Sequence, residues 1–263
     1  MKYKVNIHYI LKIFISISYL SLCNISVASE NNNAVELNIS AIDWCPQICL
    51  SNKQPGYVVE IINQIFTGKT YQPKINYFPW SRAINNVTFG KSHALLSPAK
   101  KEAPHLTYPS MEIGYQKMCF FVDKNSQWKY EGFQSLKGLF IGIAKDTSIE
   151  ELNQYMHQHP EQFQFQPYHE RFVKQNALKL LKRRIDTFIF TLNTTIHTLK
   201  NENLHGQIKN AGCVSRAPIY IAFTPVEKEQ QFIEKVKKHF ENKMRELTEN
   251  GTIAKILEAY QIK

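Results

Sequence analysis

The sequence predicts an α/β protein with largely parallel strands. Three observations carry this. Strand-like and helix-like patterns alternate along the chain, and the alternation comes in two successive runs. An apolar content of 43% with 21% charged residues excludes a disordered or fibrous chain. No apolar run reaches the roughly 18–20 residues that a spanning helix needs, so the body is not an integral membrane protein. A length of 263 residues accommodates one large domain or two lobes with separate cores.

The elements follow in order. Residues 36–43 largely alternate polar and apolar and read as a strand. Residues 57–66 place Val58, Ile61, Ile62, Ile65 and Phe66 on one helical face, and Gly68 is a natural stop. A strand is expected over 73–78, and Pro79 starts a helix that runs through Phe89 to Gly90. Residues 93–97 form a short strand stopped by Pro98. The second run has strands at 115–122 and 139–144, a helix over 147–157 capped by Thr147 or Ser148, and an alternating segment at 163–166. It continues with a helix at 172–181, a strand at 185–190, a helix at 193–199 and a strand at 219–223. Helices over 227–247 and 252–260 close the chain. Ligands on such sheets sit beyond the carboxyl ends of strands. Those ends are Asp43-Trp44, the Phe78–Trp80 segment, Ser97, residues 144–148 and Phe190-Thr191.

The first residues read as an address. Lys2, Lys4 and Lys12 precede an uncharged, mostly apolar core at 13–22, and small residues stand at Ser26 and Ala28. This is the order of a secretory signal peptide, with cleavage expected after Ala28 and a periplasmic destination. A lipid anchor at Cys23 is disfavoured by the bulky Leu22 before it. Removing 1–28 takes three Lys and no acid, which lowers the net charge from +10 to +7. The basic clusters at 179–184 and 235–238 lie in helix-like stretches beside apolar positions and read as solvated faces. There is no nucleic-acid motif.

Export sets the cysteine chemistry. Cys45 and Cys49 bracket Pro46-Gln47-Ile48, and a Pro-bearing turn favours a bridge between them. Cys119 lies on an apolar strand and either pairs with Cys213 or stays a buried thiol. No set of His, Cys, Asp or Glu has metal spacing, and no cofactor is expected. Ser-His-Asp order, HExxH and Gly-x-Ser-x-Gly are all absent, so no catalytic residue is assigned and the chain is read as a non-enzyme.

The order of elements from about Glu36 to Tyr260 resembles the extracytoplasmic solute-binding proteins of ABC transporters, in their polar amino-acid family. The segments that carry the resemblance are Pro55-Gly56-Tyr57-Val58-Val59-Glu60-Ile61, Phe78-Pro79-Trp80-Ser81-Arg82-Ala83, Ser135-Leu136-Lys137-Gly138, Ile141-Gly142-Ile143, Ile185-Asp186 and Leu247-Thr248-Glu249-Asn250-Gly251-Thr252. The resemblance implies the type II periplasmic-binding-protein fold, with two lobes, two hinge crossings and a ligand cleft between them. Lobe one would be 29–119 with 224–263, and lobe two 120–223. The crossings would fall near 119–123 and 219–225. The partners implied are a small polar solute, amino-acid-like or otherwise anionic or zwitterionic, and an inner-membrane ABC permease. The chain would act as a monomer.

The same resemblance points to ligand contacts. Asp43 and Trp44 stand where the family places first-lobe contacts, although Asp is equally a turn residue. Trp80 matches a stacking aromatic. Arg82 offers a carboxylate clamp. Ser97 and Lys100 fall where amino-acid binders hold the ligand carboxylate, and Thr147 and Ser148 resemble the second-lobe anion loop. The sequence departs from the family in two places. No Arg stands between 83 and 170, and Thr191 occupies the position where an Asp usually holds the ligand ammonium. The alternatives are an enzyme on the same scaffold, of dehydratase or peptidoglycan-cleaving type, and a stand-alone periplasmic sensor.

Overall fold

A computed structural model describes residues 34–50, 54–68, 70–145 and 149–262. The expected signal peptide at 1–28, Cys23, and the capping pair Thr147 and Ser148 lie outside the described residues. The first run comprises β1 Val35–Ala41, α1 Tyr57–Ile65, β2 Tyr71–Tyr77, α2 Trp80–Thr88 and β3 Ala94–Leu96. The second comprises β4 Gly114–Asp123, β5 Ile141–Ala144, α3 Glu150–Gln158, β6 Phe163–Gln166, α4 Phe172–Leu181, β7 Thr187–Thr191, α5 Leu192–Asn201 and β8 Ile208–Ile219. The chain then returns through β9 Ile221–Phe223, α6 Gln230–Glu249 and α7 Thr252–Ala259. No helix among the described residues is long and apolar enough to cross a membrane.

Two separate sheets result, in the orders β2-β1-β3-β9 and β6-β5-β7-β4-β8. β1 pairs in parallel with β2 and β3, and β5 with β6 and β7. The strands contributed by the crossings, β9, β4 and β8, pair antiparallel. β5 and β7 are buried along their whole length, which explains why neither alternates polar with apolar residues.

The first core lies between its sheet and α1, α6 and α7. Ile61 and Ile62 of α1 are fully buried beside Leu37, Ile39 and Phe240, each such side chain stabilising the fold by about 1.5–3 kcal/mol. Gly56 admits the chain to α1 with φ 99°, and a Cβ there would run into the Gln47 carbonyl. Gly56→Ala should therefore cost roughly 1–3 kcal/mol, read as a lowered urea midpoint. Wild-type stability in this variant would contradict the conformation. The second core occupies both faces of its sheet, with Phe121, Phe172 and Phe188 on one side and Phe120, Ile143 and Ile189 on the other.

The longest strand, β8, is absent from the sequence expectation. Pro218 and Gly212 argue against a strand interior. β8 is an edge strand, where a missing N–H is tolerated, and its pairing with β4 is broken by two register shifts with Gly212 at φ 129°. The expected lobe borders move with it. β4 belongs wholly to the second sheet, so the first crossing lies between Leu96 and Gly114 rather than at 119–123. β9 belongs to the first sheet, so the return falls at Tyr220. The two crossings are bonded to each other, Ser97 N to Tyr220 O at 2.8 Å and Tyr220 N to Pro98 O at 3.0 Å. Both disulfides form, Cys45–Cys49 and Cys119–Cys213, the latter joining a register pair of β4 and β8.

Candidate functional site

The end of β1 leads into a tight loop. Trp44 O accepts from Gln47 N at 2.9 Å and Ile48 N at 3.0 Å, and the Cys45–Cys49 bridge spans the turn. This sets the Trp44 ring, 9% exposed, in the apolar cluster of the second lobe with Cys119 and Phe190. Its Nε1 donates to Thr191 Oγ1 at 3.1 Å. Tyr168 donates its hydroxyl to the Asp43 carbonyl at 3.0 Å, and its ring stacks on Phe190 at 5.2 Å. Burial raises the Tyr168 phenol, the negative Asp43 and Glu170 adding to it, so the hydroxyl stays a donor.

Behind this seam lies a cavity of about 70 Å³. The first sheet's side contributes Ile42, Trp44, Trp80 and Glu102, and the second contributes Gln116, Met118, Lys145, Tyr168, Phe190 and Thr191. A wider hollow of about 260 Å³ shares Glu102, Gln116 and Met118 and opens past Lys100, Arg216 and Tyr220. The strand alternation of β4 turns Gln116 and Met118 inward together. Gln116 is only 8% exposed, and its amide has no hydrogen-bond partner among the described residues. Glu102 Oε2 accepts from Ala99 N at 2.7 Å. Burial pushes this carboxyl up to about 7, with the Ala99 N–H pulling the other way. Lys100 is exposed, its Nζ 4.6 Å from the centre of the Tyr220 ring, and Arg216 covers Tyr115 at 3.7 Å. A third hollow, of about 280 Å³, lies elsewhere, between α5 and Tyr260.

The structure brings Trp44, Trp80 and Thr191 together at the cavity and puts Lys100 in the adjoining hollow. Asp43 takes a turn role, its Oδ1 accepting from Leu50 N at 3.1 Å. Arg82 is exposed and does not line the cavity, because Ala83 and Val87 are the residues of α2 that face the core. Ser97 is fully buried at the crossing with φ 64°, and its hydroxyl has no partner among the described residues. Thr147 and Ser148 lie outside the described residues. The sequence expectation missed Glu102, Gln116, Met118 and Tyr168. Gln116 carried a signal, a polar residue at an inward position of an apolar strand. Glu102, inside Lys100-Lys101-Glu102, carried none.

Two sheets, two bonded crossings and a cavity walled from both sides define a two-lobed α/β architecture. The fold is the type II periplasmic-binding-protein fold, as solved structures show. One, from work on glutathione import via GshT and the cystine ABC importer TcyBC of Streptococcus mutans, is 16% identical with a TM-score of 0.71, over 86% of this chain and 95% of that one. A histidine kinase sensor domain with similarity to periplasmic binding proteins is 14% identical at a TM-score of 0.68, over 86% of this chain and 95% of that one. The ancestral amino-acid-binding protein AncCDT-1, a precursor of cyclohexadienyl dehydratase, is 12% identical at a TM-score of 0.63, over 86% and 94%. No family model matches the chain, and no curated protein matches it in sequence.

Proposed function

We propose that the chain is an exported binding protein that captures a small polar solute in the cleft and delivers it to an inner-membrane ABC permease. The supporting observation is the aromatic-lined cavity whose walls come from both sides of two crossings. A guest held there is buried by lobe closure, which it drives only by binding the closed form better than the open one. Trp80, Trp44 and Thr191 are proposed as contacts, with Lys100 at the rim. Thr147 and Ser148 complete the set on the resemblance. Residues 1–28 direct export to the periplasm, and the mature chain acts as a monomer.

Thermal shift against a solute library tests this. A true ligand at a hundred times its dissociation constant adds about 2.7 kcal/mol of stability. Trp80→Ala should abolish that gain with little change in the unliganded melt, since Trp80 is only partly buried. Full retention of the gain would remove Trp80 from the site. A second reading is favoured by Glu102, which lines the cavity and whose carboxyl burial pushes up to about 7, toward the range useful to a general acid. AncCDT-1, an amino-acid-binding protein of this fold, is described as a precursor of a dehydratase. Turnover of a bound solute, followed by mass spectrometry, would establish it over simple capture.

A further inference from the structure

We propose that the cavity selects a small organic ammonium compound, its cationic group held among Trp44, Trp80, Tyr168 and Phe190 against the carboxylate of Glu102. This rests on the cavity being a solute site and names the class of solute.

Four aromatic side chains wall a space of about 70 Å³. The polar handles of two of them are already spent, the Trp44 N–H on Thr191 and the Tyr168 hydroxyl on the Asp43 carbonyl. Those two therefore give the cavity ring surface, which attracts cations and repels anions. Glu102 and Lys145 are the charged residues among the cavity's lining. Lys145 is exposed, so water screens its charge. Glu102 has one oxygen on the Ala99 N–H, and no partner among the described residues is recorded for the other. A desolvated carboxylate without a counter-charge is costly, and a cationic guest supplies the missing partner. An anionic guest would meet both the rings and Glu102 unfavourably. Gln116, with a free amide, and Lys145 suit an acceptor at the guest's other end.

The groups around Glu102 are accounted for. Lys100 and Lys101 precede it on the same segment, and Tyr108 feels its charge. Glu151, Arg216 and Tyr220 line the adjoining hollow, and Lys145 faces it across the cavity.

Calorimetric titration of the full mature chain tests the assignment. The probes are choline, glycine betaine, several α-amino acids, the neutral choline isostere 3,3-dimethylbutanol, and simple carboxylates. At least one ammonium probe should bind roughly tenfold or more tighter than its neutral or anionic counterpart. It should also bind more tightly at pH 8 than at pH 6, because the cation binds the ionised carboxyl. Glu102→Gln should remove both the preference and the pH dependence, while Glu102→Asp keeps part of each. Circular dichroism checks that both variants fold. Unchanged ammonium binding in Glu102→Gln overturns the assignment. So does a library solute without an ammonium group that binds in a Trp80-dependent way while every ammonium probe fails, and that result leaves solute capture standing. Failure of every probe and every library solute overturns both.

Discussion

Cys119→Ala/Cys213→Ala loses about 2–5 kcal/mol of unfolding free energy relative to the oxidised wild type. The bridge closes a loop of sequence separation 94, which contains most of the second lobe. Cross-linking so long a loop removes many unfolded conformations, and the chain-entropy estimate for about 100 residues is roughly 4.7 kcal/mol. Cys119 is fully buried, so truncation adds a small packing loss. Urea denaturation compares the double variant with oxidised wild type and with reduced wild type, in which both disulfides are open. Both should unfold at lower urea than the oxidised protein. Coincident midpoints for oxidised and reduced wild type would show that the cross-link adds nothing. The bond joins β4 and β8 within the second sheet, so its loss should also loosen the second lobe before the first.

Glu102→Gln stabilises the unliganded protein at alkaline pH. The native carboxyl titrates near 7 against a usual 4.5 because burial disfavours its charge. A raised carboxyl binds its proton more tightly in the native state than in the unfolded one. The stability this confers is fully present below about pH 4.5 and is lost as pH rises through about 7. At about 1.4 kcal/mol per pH unit, the loss approaches about 3 kcal/mol by pH 8, less whatever water relieves in a partly exposed residue. Gln keeps the acceptor for Ala99 N–H and never ionises. The variant should match wild type at pH 4.5 and exceed it by about 2–3 kcal/mol at pH 8 in urea melts. Equal pH dependence of the two proteins would place the Glu102 carboxyl in water. A carboxyl held at this cost, where a neutral residue would fold better, gives up stability at the cavity.

Local periodicity carried most of the fold. The buried faces of α1 and α6 are spelled out by the spacing of their Ile, Val, Phe and Met residues, and β5 and β7 by short apolar runs, Ile141–Ala144 and Phe188–Phe190. β8 was hidden because Pro218 and Gly212 are permitted only by its place at an edge, which is a fact of topology rather than of local sequence. The site divided the same way. Trp80 and Thr191 were legible from their positions at strand and helix ends. Arg82 was named because its charge type suits an anion, and the helix phase that turns Ala83 and Val87 inward leaves it exposed and outside the cavity's lining. Glu102 and Tyr168 come from irregular segments with no period to read, and only tertiary structure sets them at the cavity.

The most direct measurement is a crystal structure of the mature protein grown with a solute retained in native mass spectrometry. The solute should lie between Trp80 and Phe190, enclosed by both lobes, within hydrogen-bonding distance of Gln116 and with its positive end toward Glu102. A solute seated instead in the hollow beside Tyr260, with the aromatic cavity left to water, would contradict it.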